Sequence, residues 1–225
     1  VAGIALVQEK TTASTSSLTL ASGTTAGNCL VVCVFTHSVS NVSLTVTAVT
    51  AGGSADNFTQ LAAVQSGFSG STQFAAIWAD PGCAGGQTAV AVTTSGNSGG
   101  GIAAMEFSGV ALAGILDQSS TGNATSGTSW SSGSTSAVGG GELWIGAANP
   151  HFTPTGPGEP WTNYTASLNN GIAGWQVSGA GGAASYAGTQ PGSGPWAAAV
   201  VTLVPPSIPG LILPDPQAVR RASFY

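Results

Sequence analysis

Charge is what this sequence has least of. Only 5% of its 225 residues are Asp, Glu, Lys or Arg, against roughly a quarter in ordinary soluble domains. The cations are Lys10, Arg220 and Arg221, so Thr11–Val219 contains none. Tracking a phosphate backbone needs clustered Lys and Arg, which excludes nucleic acid as a partner of the main body. The acidic residues are thinly spread, with a net charge of −5, and they read as solvating groups rather than a metal cluster. No cofactor motif is present. No apolar run reaches membrane-spanning length, so no membrane partner is expected. The opening VAGIALVQEK lacks the basic start and long apolar stretch of an uncleaved signal peptide. Cysteine is scarce too. Cys29, Cys33 and Cys83 have no zinc spacing. Cys29 and Cys33 would share a strand face roughly 13 Å apart, too far to bridge. A Cys33–Cys83 disulfide and buried free thiols are the two readings that remain.

Helical periodicity is also missing. Short runs rich in Val, Ile, Thr, Phe and Trp alternate with Gly/Ser/Thr/Asn clusters, and 42% of the residues are hydrophobic, enough to bury a core. The pattern predicts strands near 3–8, 15–20, 29–37, 42–49, 57–64, 72–79, 87–94, 101–107, 115–119, 142–148, 161–167, 172–178, 183–188 and 196–204. Leu44, Val46 and Ala48 alternate with Ser43, Thr45 and Thr47, marking one buried and one wet face. Cys29–Phe35 is apolar on both parities, as a strand inside a sandwich should be. The expected fold is all-β: a two-sheet antiparallel jelly-roll-like sandwich over residues 1–204. Residues 119–141 are almost all Ser, Thr and Gly, interrupted by Trp130, and read as an ordered loop carrying a short strand.

The chain repeats itself weakly. CLVVCVFTH (29–37) aligns with LWIGAANPH (143–151), and FTQLAAV (58–64) with WTNYTASL (161–168). FAAIWAD (74–80) answers IAGWQVS (172–178), and IAAMEFSGV (102–110) answers AAAVVTLVP (197–205). Two sequence-related β halves follow from this, with Gly109–Gly141 as the crossing between them. Trp78 and Trp175 match across the repeat, which predicts core positions for both.

Composition changes at Pro205. PPSIPGLILPDPQAVRRASFY has no core of its own, and proline pre-sets an extended backbone. It reads either as a disordered terminus or as an arm, residues 205–225, reaching roughly 60 Å across a neighbouring subunit. As an arm it would bind through Leu211, Ile212, Leu213, Phe224 and Tyr225, with Arg220 and Arg221 docked on an acidic patch of the partner.

Candidate chemistry is sparse. Glu106 sits on a strand, as a glycosidase acid would, and Glu142 is its one conceivable partner for the two-carboxylate mechanism. The repeat places a small or apolar residue opposite Glu106, however, and a structural carboxylate is the preferred reading. His37 and His151 end matching strands, but no third ligand converges on either, so they read as loop-facing. Asp56, Asp80 and Asp117 fit turns, and a calcium site from Asp56 and Asn57 has no recognised spacing behind it. Trp130, Trp161 and Tyr164 lie beside loops and are the candidates for stacking on a glycan.

The words TTAGNCLVVCVF, QFAAIWADPGCAGGQTAVAVT, IAAMEFSGV with LDQSSTGNATSGT, GELWIGAAN and PWAAAVVTLVP together resemble a β-sandwich domain. That domain is found in bacterial surface proteins and in structural proteins of tailed phages, especially of actinobacterial hosts. The similarity spans about residues 4–204. It implies a jelly-roll-like body in a virion or surface assembly and no catalytic residues; the proline-rich arm departs from the pattern. The expectation is therefore a non-enzymatic capsid decoration or minor tail protein on the outer surface of a virion. It would be bound to other virion subunits in multiple copies. The alternative is a carbohydrate-binding module on a virion or bacterial surface, or secreted, taking a host surface glycan.

Overall fold

The computed structural model describes residues 3–40, 42–53, 57–67, 70–96, 99–166 and 170–207. The arm residues Leu211, Ile212, Leu213, Arg220, Arg221, Phe224 and Tyr225 lie outside them, as does Asp56. The described residues form strands joined by turns and loops, with no helix among them. In chain order the strands are β1 (Ala5–Thr12), β2 (Ser17–Thr19), β3 (Cys29–Ser38), β4 (Thr45–Ala51), β5 (Thr59–Gln65), β6 (Thr72–Pro81), β7 (Ala89–Ser95) and β8 (Gly99–Ser108). There follow β9 (Leu116–Ala124), β10 (Ser129–Val138), β11 (Leu143–Pro150), β12 (Thr162–Ala166), β13 (Gly171–Val177), β14 (Gly182–Thr189) and β15 (Trp196–Leu203).

The strands build four sheets, ordered β1-β8-β3-β6-β5, β2-β7-β4, β12-β13-β11-β15-β9 and β10-β14. The repeat is visible in these orders. The row β8-β3-β6-β5 recurs as β15-β11-β13-β12, β1 beside β8 recurs as β9 beside β15, and β2-β7 recurs as β10-β14. Among the described residues, β4 alone has no counterpart. Each half is thus a jelly-roll sandwich of one five-stranded and one smaller sheet, and the two-sheet arrangement expected once occurs twice.

The two five-stranded sheets pack face to face. Val31, Cys33, Ile77, Met105 and Phe107 meet Leu143, Ile145, Ala199 and Val201 in one core. On its other face each sheet packs its own small sheet. Leu30, Val32 and Ile102 meet Leu18, Val46 and Val90 in the first half, and Ala148 and Val200 meet Trp130 and Tyr186 in the second. This explains why β3 is buried along its whole length except for half-buried His37. The central core joins the same face of each half, because Cys29, Val31 and Cys33 are equivalent to Leu143, Ile145 and Ala147, and both sets point inward. Equivalent faces meeting in one core make the halves a fused, isologous pair.

Several expectations are corrected by the register. The crossing is not Gly109–Gly141, because β9 and β10 already belong to the second half; the halves are joined by residues 109–115. β10 was hidden because it reads SWSSGSTSAV, and its register slips twice, between Ser131/Ser134 and Ser134/Ala137. Cys29 pairs with Pro81 and its counterpart Leu143 pairs with Val177, so the offset here is 177 − 81 = 96. Trp78 therefore corresponds to Gly174, and Trp175 to Ala79. The one-residue slip matters because alternate residues face opposite ways: Trp78 packs on the outer core and Trp175 on the central one. In β4 the alternation breaks at a bulge between Val46 and Ala48, so Val49 turns inward where Ala48 was expected to.

The second half fills its outer core differently. Where the first half has the cross-strand pair Val32–Trp78, the second has Gly146–Gly174. Tyr186 lies over these glycines, and a Cβ on Gly146 would stand 2.2 Å from its ring. Trp130 packs 5.3 Å and Trp161 4.8 Å from the Tyr186 ring, centre to centre. Large rings from the outer layer close the space beside a strand that is not there.

Candidate functional site

Glu106 is fully buried on β8. Its Oε1 accepts hydrogen bonds from Thr25 N at 2.8 Å and Asn28 Nδ2 at 2.6 Å, and its Oε2 accepts one from Gln8 Nε2 at 2.6 Å. Gln8 is held in turn, its Oε1 accepting from Ser22 N and Oγ. Burial works to raise the carboxyl pKa, but donation from Gln8, Thr25 and Asn28 outweighs it and holds the group below its usual value. A general acid needs the opposite shift. Glu106 ties β1 and the 22–28 loop to β8.

The second half rebuilds this junction with the roles exchanged. Phe107 corresponds to Leu203, since they pair with Cys29 and Leu143. The echo of Glu106 is therefore buried Thr202, not the small or apolar residue expected. Thr202 Oγ1 accepts from Gln118 N at 3.1 Å. The carboxylate comes instead from Glu142, which precedes β11 as Asn28 precedes β3. Glu142 Oε1 accepts from Gly139 N at 3.1 Å, and Oε2 is buried with the Thr202 hydroxyl and the Asp117 carboxylate as the carboxyl's other polar neighbours. Burial first, and then the Asp117 carboxylate, push its pKa up and outweigh the Thr202 hydroxyl and the Gly139 amide, which favour the charged form. Glu106 and Glu142 belong to different sandwiches, with both five-stranded sheets between them, so they do not flank one cleft.

These environments give opposite outcomes for one substitution. Glu106→Gln places an amide N–H against a donor and is expected to cost about 1–3 kcal/mol at pH 7. Glu106's pKa is lower folded than unfolded, so its contribution is present above the unfolded value near 4.3 and is lost as pH falls through the folded value. Glu142→Gln keeps the Gly139 bond and removes a poorly satisfied charge, so it is expected to stabilise by up to about 1 kcal/mol at pH 7. That gain fades as pH drops through the raised folded value of Glu142. Denaturant melts of both variants and the wild type, at pH 7 for the signs and down to about pH 3 for the acid limb of Glu106, check this.

His37 is half-buried near the end of β3, and His151 is exposed in the bend just after β11. The pairing of halves brings these equivalent strand ends together, and with Gln73 and Asn170 they line a pocket of about 90 Å³. Gln73 Nε2 lies 3.5 Å from His151 Nδ1, and Asn170 Nδ2 donates to His151 O at 2.5 Å. Asn170 holds a left-handed backbone with φ 65°, a conformation Asn tolerates. Burial, then His151, lowers the pKa of His37. The lining is two imidazoles and two carboxamides, and no three His, Cys, Asp or Glu side chains cluster as metal ligands among the described residues. As pH falls below about 6.5 the unfolded chain takes up the His37 proton first. Thermal stability should therefore decline from that pH through the lower folded value. His151→Gln should flatten the decline, as followed by melting temperature against pH.

The glycan candidates are corrected by burial. Trp130 is 1% and Trp161 8% exposed, so their faces are occupied by the outer core. Trp130 Nε1 also donates to Thr189 O at 3.1 Å. Tyr164 is half-buried and packs on the central core, its hydroxyl accepting from Trp175 Nε1 at 3.3 Å. Loop adjacency in sequence was a poor guide because these loops fold over the core. Asp80 and Asp117 lie on β6 and β9 rather than in turns. All three cysteines are buried and unbridged. Cys33 and Cys83 cannot pair because they sit in cores on opposite faces of one sheet. Burial pushes the Cys29 thiol up to about 12, so it stays protonated.

Sequence reasoning missed Asn149. It is fully buried on β11, and its Nδ2 donates to Thr36 O at 2.9 Å and Phe74 O at 3.2 Å. One side chain thus clamps the second half onto two strands of the first. An Asn inside the apolar run LWIGAANP was the signal. No family model, no curated protein and no solved structure matches the chain.

Proposed function

We propose that the chain is a non-enzymatic structural protein of a phage particle. It acts as a capsid decoration or minor tail protein held in multiple copies on the outer surface by other virion subunits. The observation that carries this reading is a surface almost without charge: Lys10 is the one Lys or Arg among the described residues. Such a surface is a poor design for a free monomer and is suited to being covered in an assembly. The fate of the acidic groups supports the same reading, since Glu106 is spent on holding loops. The words resembling phage structural proteins supply the particle. The glycan-binding alternative has less behind it, since Trp130 and Trp161 are buried and half-buried Tyr164 is the one candidate ring with an accessible part.

The test is co-purification with virions. The full chain should sediment with particles, and the chain ending at Val204 should fold yet fail to attach. A chain absent from particles, or polysaccharide hydrolysis by the wild type that is lost in Glu106→Gln, would overturn the reading.

A further inference from the structure

Among the described residues the second half lacks a strand at one place. In the first half, β4 pairs along β7 from Thr45↔Ser95 to Ala51↔Val90. In the second half, the segment between β11 and β12 touches β14 at a single bridge, Thr155↔Thr189. That bridge exchanges both backbone hydrogen bonds, so the polar groups of Thr189 point away from β10. Tyr186 N and Ala184 N point the other way, donating to Ser132 Oγ and Thr135 Oγ1 on β10. Alternation along a strand then directs the N–H and C=O groups of Ala183, Ser185 and Ala187 to the open edge. A regular row of unpaired backbone groups is a template for one more strand.

One ring of the outer core beneath β14 is less covered than its counterpart in the first half. Trp144 is the counterpart of Leu30, which is fully buried in the first half; Trp144 is only half-buried. Its Nε1 is buried without a hydrogen-bond partner among the described residues. Trp144 packs 6.4 Å from Trp161, which packs 4.8 Å from Tyr186 of β14, so a strand added beside β14 would extend the apolar cover of this aromatic group.

We propose that the β14 edge receives Leu211–Leu213 of a second copy of this chain as an added strand. The run Gly210-Leu211-Ile212-Leu213 is free of proline between Pro209 and Pro214. It therefore keeps the donors that pairing requires, and its alternate leucines Leu211 and Leu213 would face the core together. The eighteen residues that follow Ser207 (225 − 207 = 18) span roughly 55 Å when extended, enough to leave one molecule and lie along another. Main-chain bonds would supply affinity and the leucines selectivity, as in strand addition generally. The proposal deepens the assembly role given above but is tested on the purified chain without particles, so the two can fail separately.

Ser185→Pro removes the central outward N–H and leaves the β10 side intact, while Leu211→Asp/Leu213→Asp disables the added strand. The full chain should self-associate over a roughly hundredfold concentration range in sedimentation. Each variant alone should remain monomeric. An equal mixture of the two should form a one-way dimer, since one supplies the segment and the other the edge. If Ser185→Pro fails to fold, hydrogen exchange on the wild type decides: the amides of Ala183, Ser185 and Ala187 should gain about tenfold protection as concentration rises. A monomeric wild type overturns the proposal. So does self-association that survives in the Asp variant, which would point to edge-to-edge pairing. Protection independent of concentration overturns it too, since the chain would then be filling its own edge.

Discussion

Gly146→Val is expected to collapse the second sandwich, and Tyr186→Val in the same chain to restore it. The first half carries Val32 where the second has Gly146, so the backbone accepts valine there. Tyr186 does not: a Cβ at Gly146 would meet Tyr186 Cγ at 2.2 Å and Cδ2 at 2.4 Å. Tyr186 is fully buried, boxed in by Trp130 and Trp161, and its hydroxyl donates to Asn163 Oδ1 at 2.8 Å. It has nowhere to swing, and overpacking of this kind costs about 3 kcal/mol or more. Tyr186→Val alone should cost about 3 kcal/mol through the cavity it leaves. Together the two refill one volume, so the double variant should be more stable than the sum of the singles by about 1–3 kcal/mol. Urea melts of the four chains measure this coupling. Strict additivity would mean the ring and the glycine do not share that space.

Asn149→Asp should be as damaging at neutral pH, for an electrostatic reason. The amide donates to two carbonyl oxygens, Thr36 O and Phe74 O, and an ionised carboxylate would face both with no donor. An uncompensated buried charge costs about 3–5 kcal/mol. The pKa of the new carboxyl would rise, so the loss should shrink in acid, where the protonated group can donate to one carbonyl. Melts of the variant and the wild type, compared at each pH from 7 to 4, check both the size and the direction. A loss that does not change with pH would show that charge is not its cause.

The strands were the most legible feature. β3 announced itself because both of its faces are covered, so every residue from Cys29 to Phe35 had to be apolar. β10 could not be found in this way. Its inward residues are Trp130, Ser132 and Thr135, and two of these serve as side-chain acceptors for β14 amides where the ladder slips. Aromatic residues were legible as important but not as to direction, because Trp78 and Trp175 differ by one position in register and that alone sends them to opposite cores. The histidines were legible as equivalent and illegible as neighbours, since their meeting depends on how the halves pack.

The sequence by itself determined that this is an all-β protein of two related halves with almost no charge. Strand periodicity and charge are written locally, residue by residue. The tertiary structure alone decided that each half closes its own sandwich and that the halves join through their equivalent faces. It also decided that Glu106 and Glu142 reside in separate sandwiches and that, among the described residues, β14 has no strand paired along one edge. Those outcomes depend on register and sheet order, which arise from contacts between residues about a hundred positions apart, and no local pattern carries them.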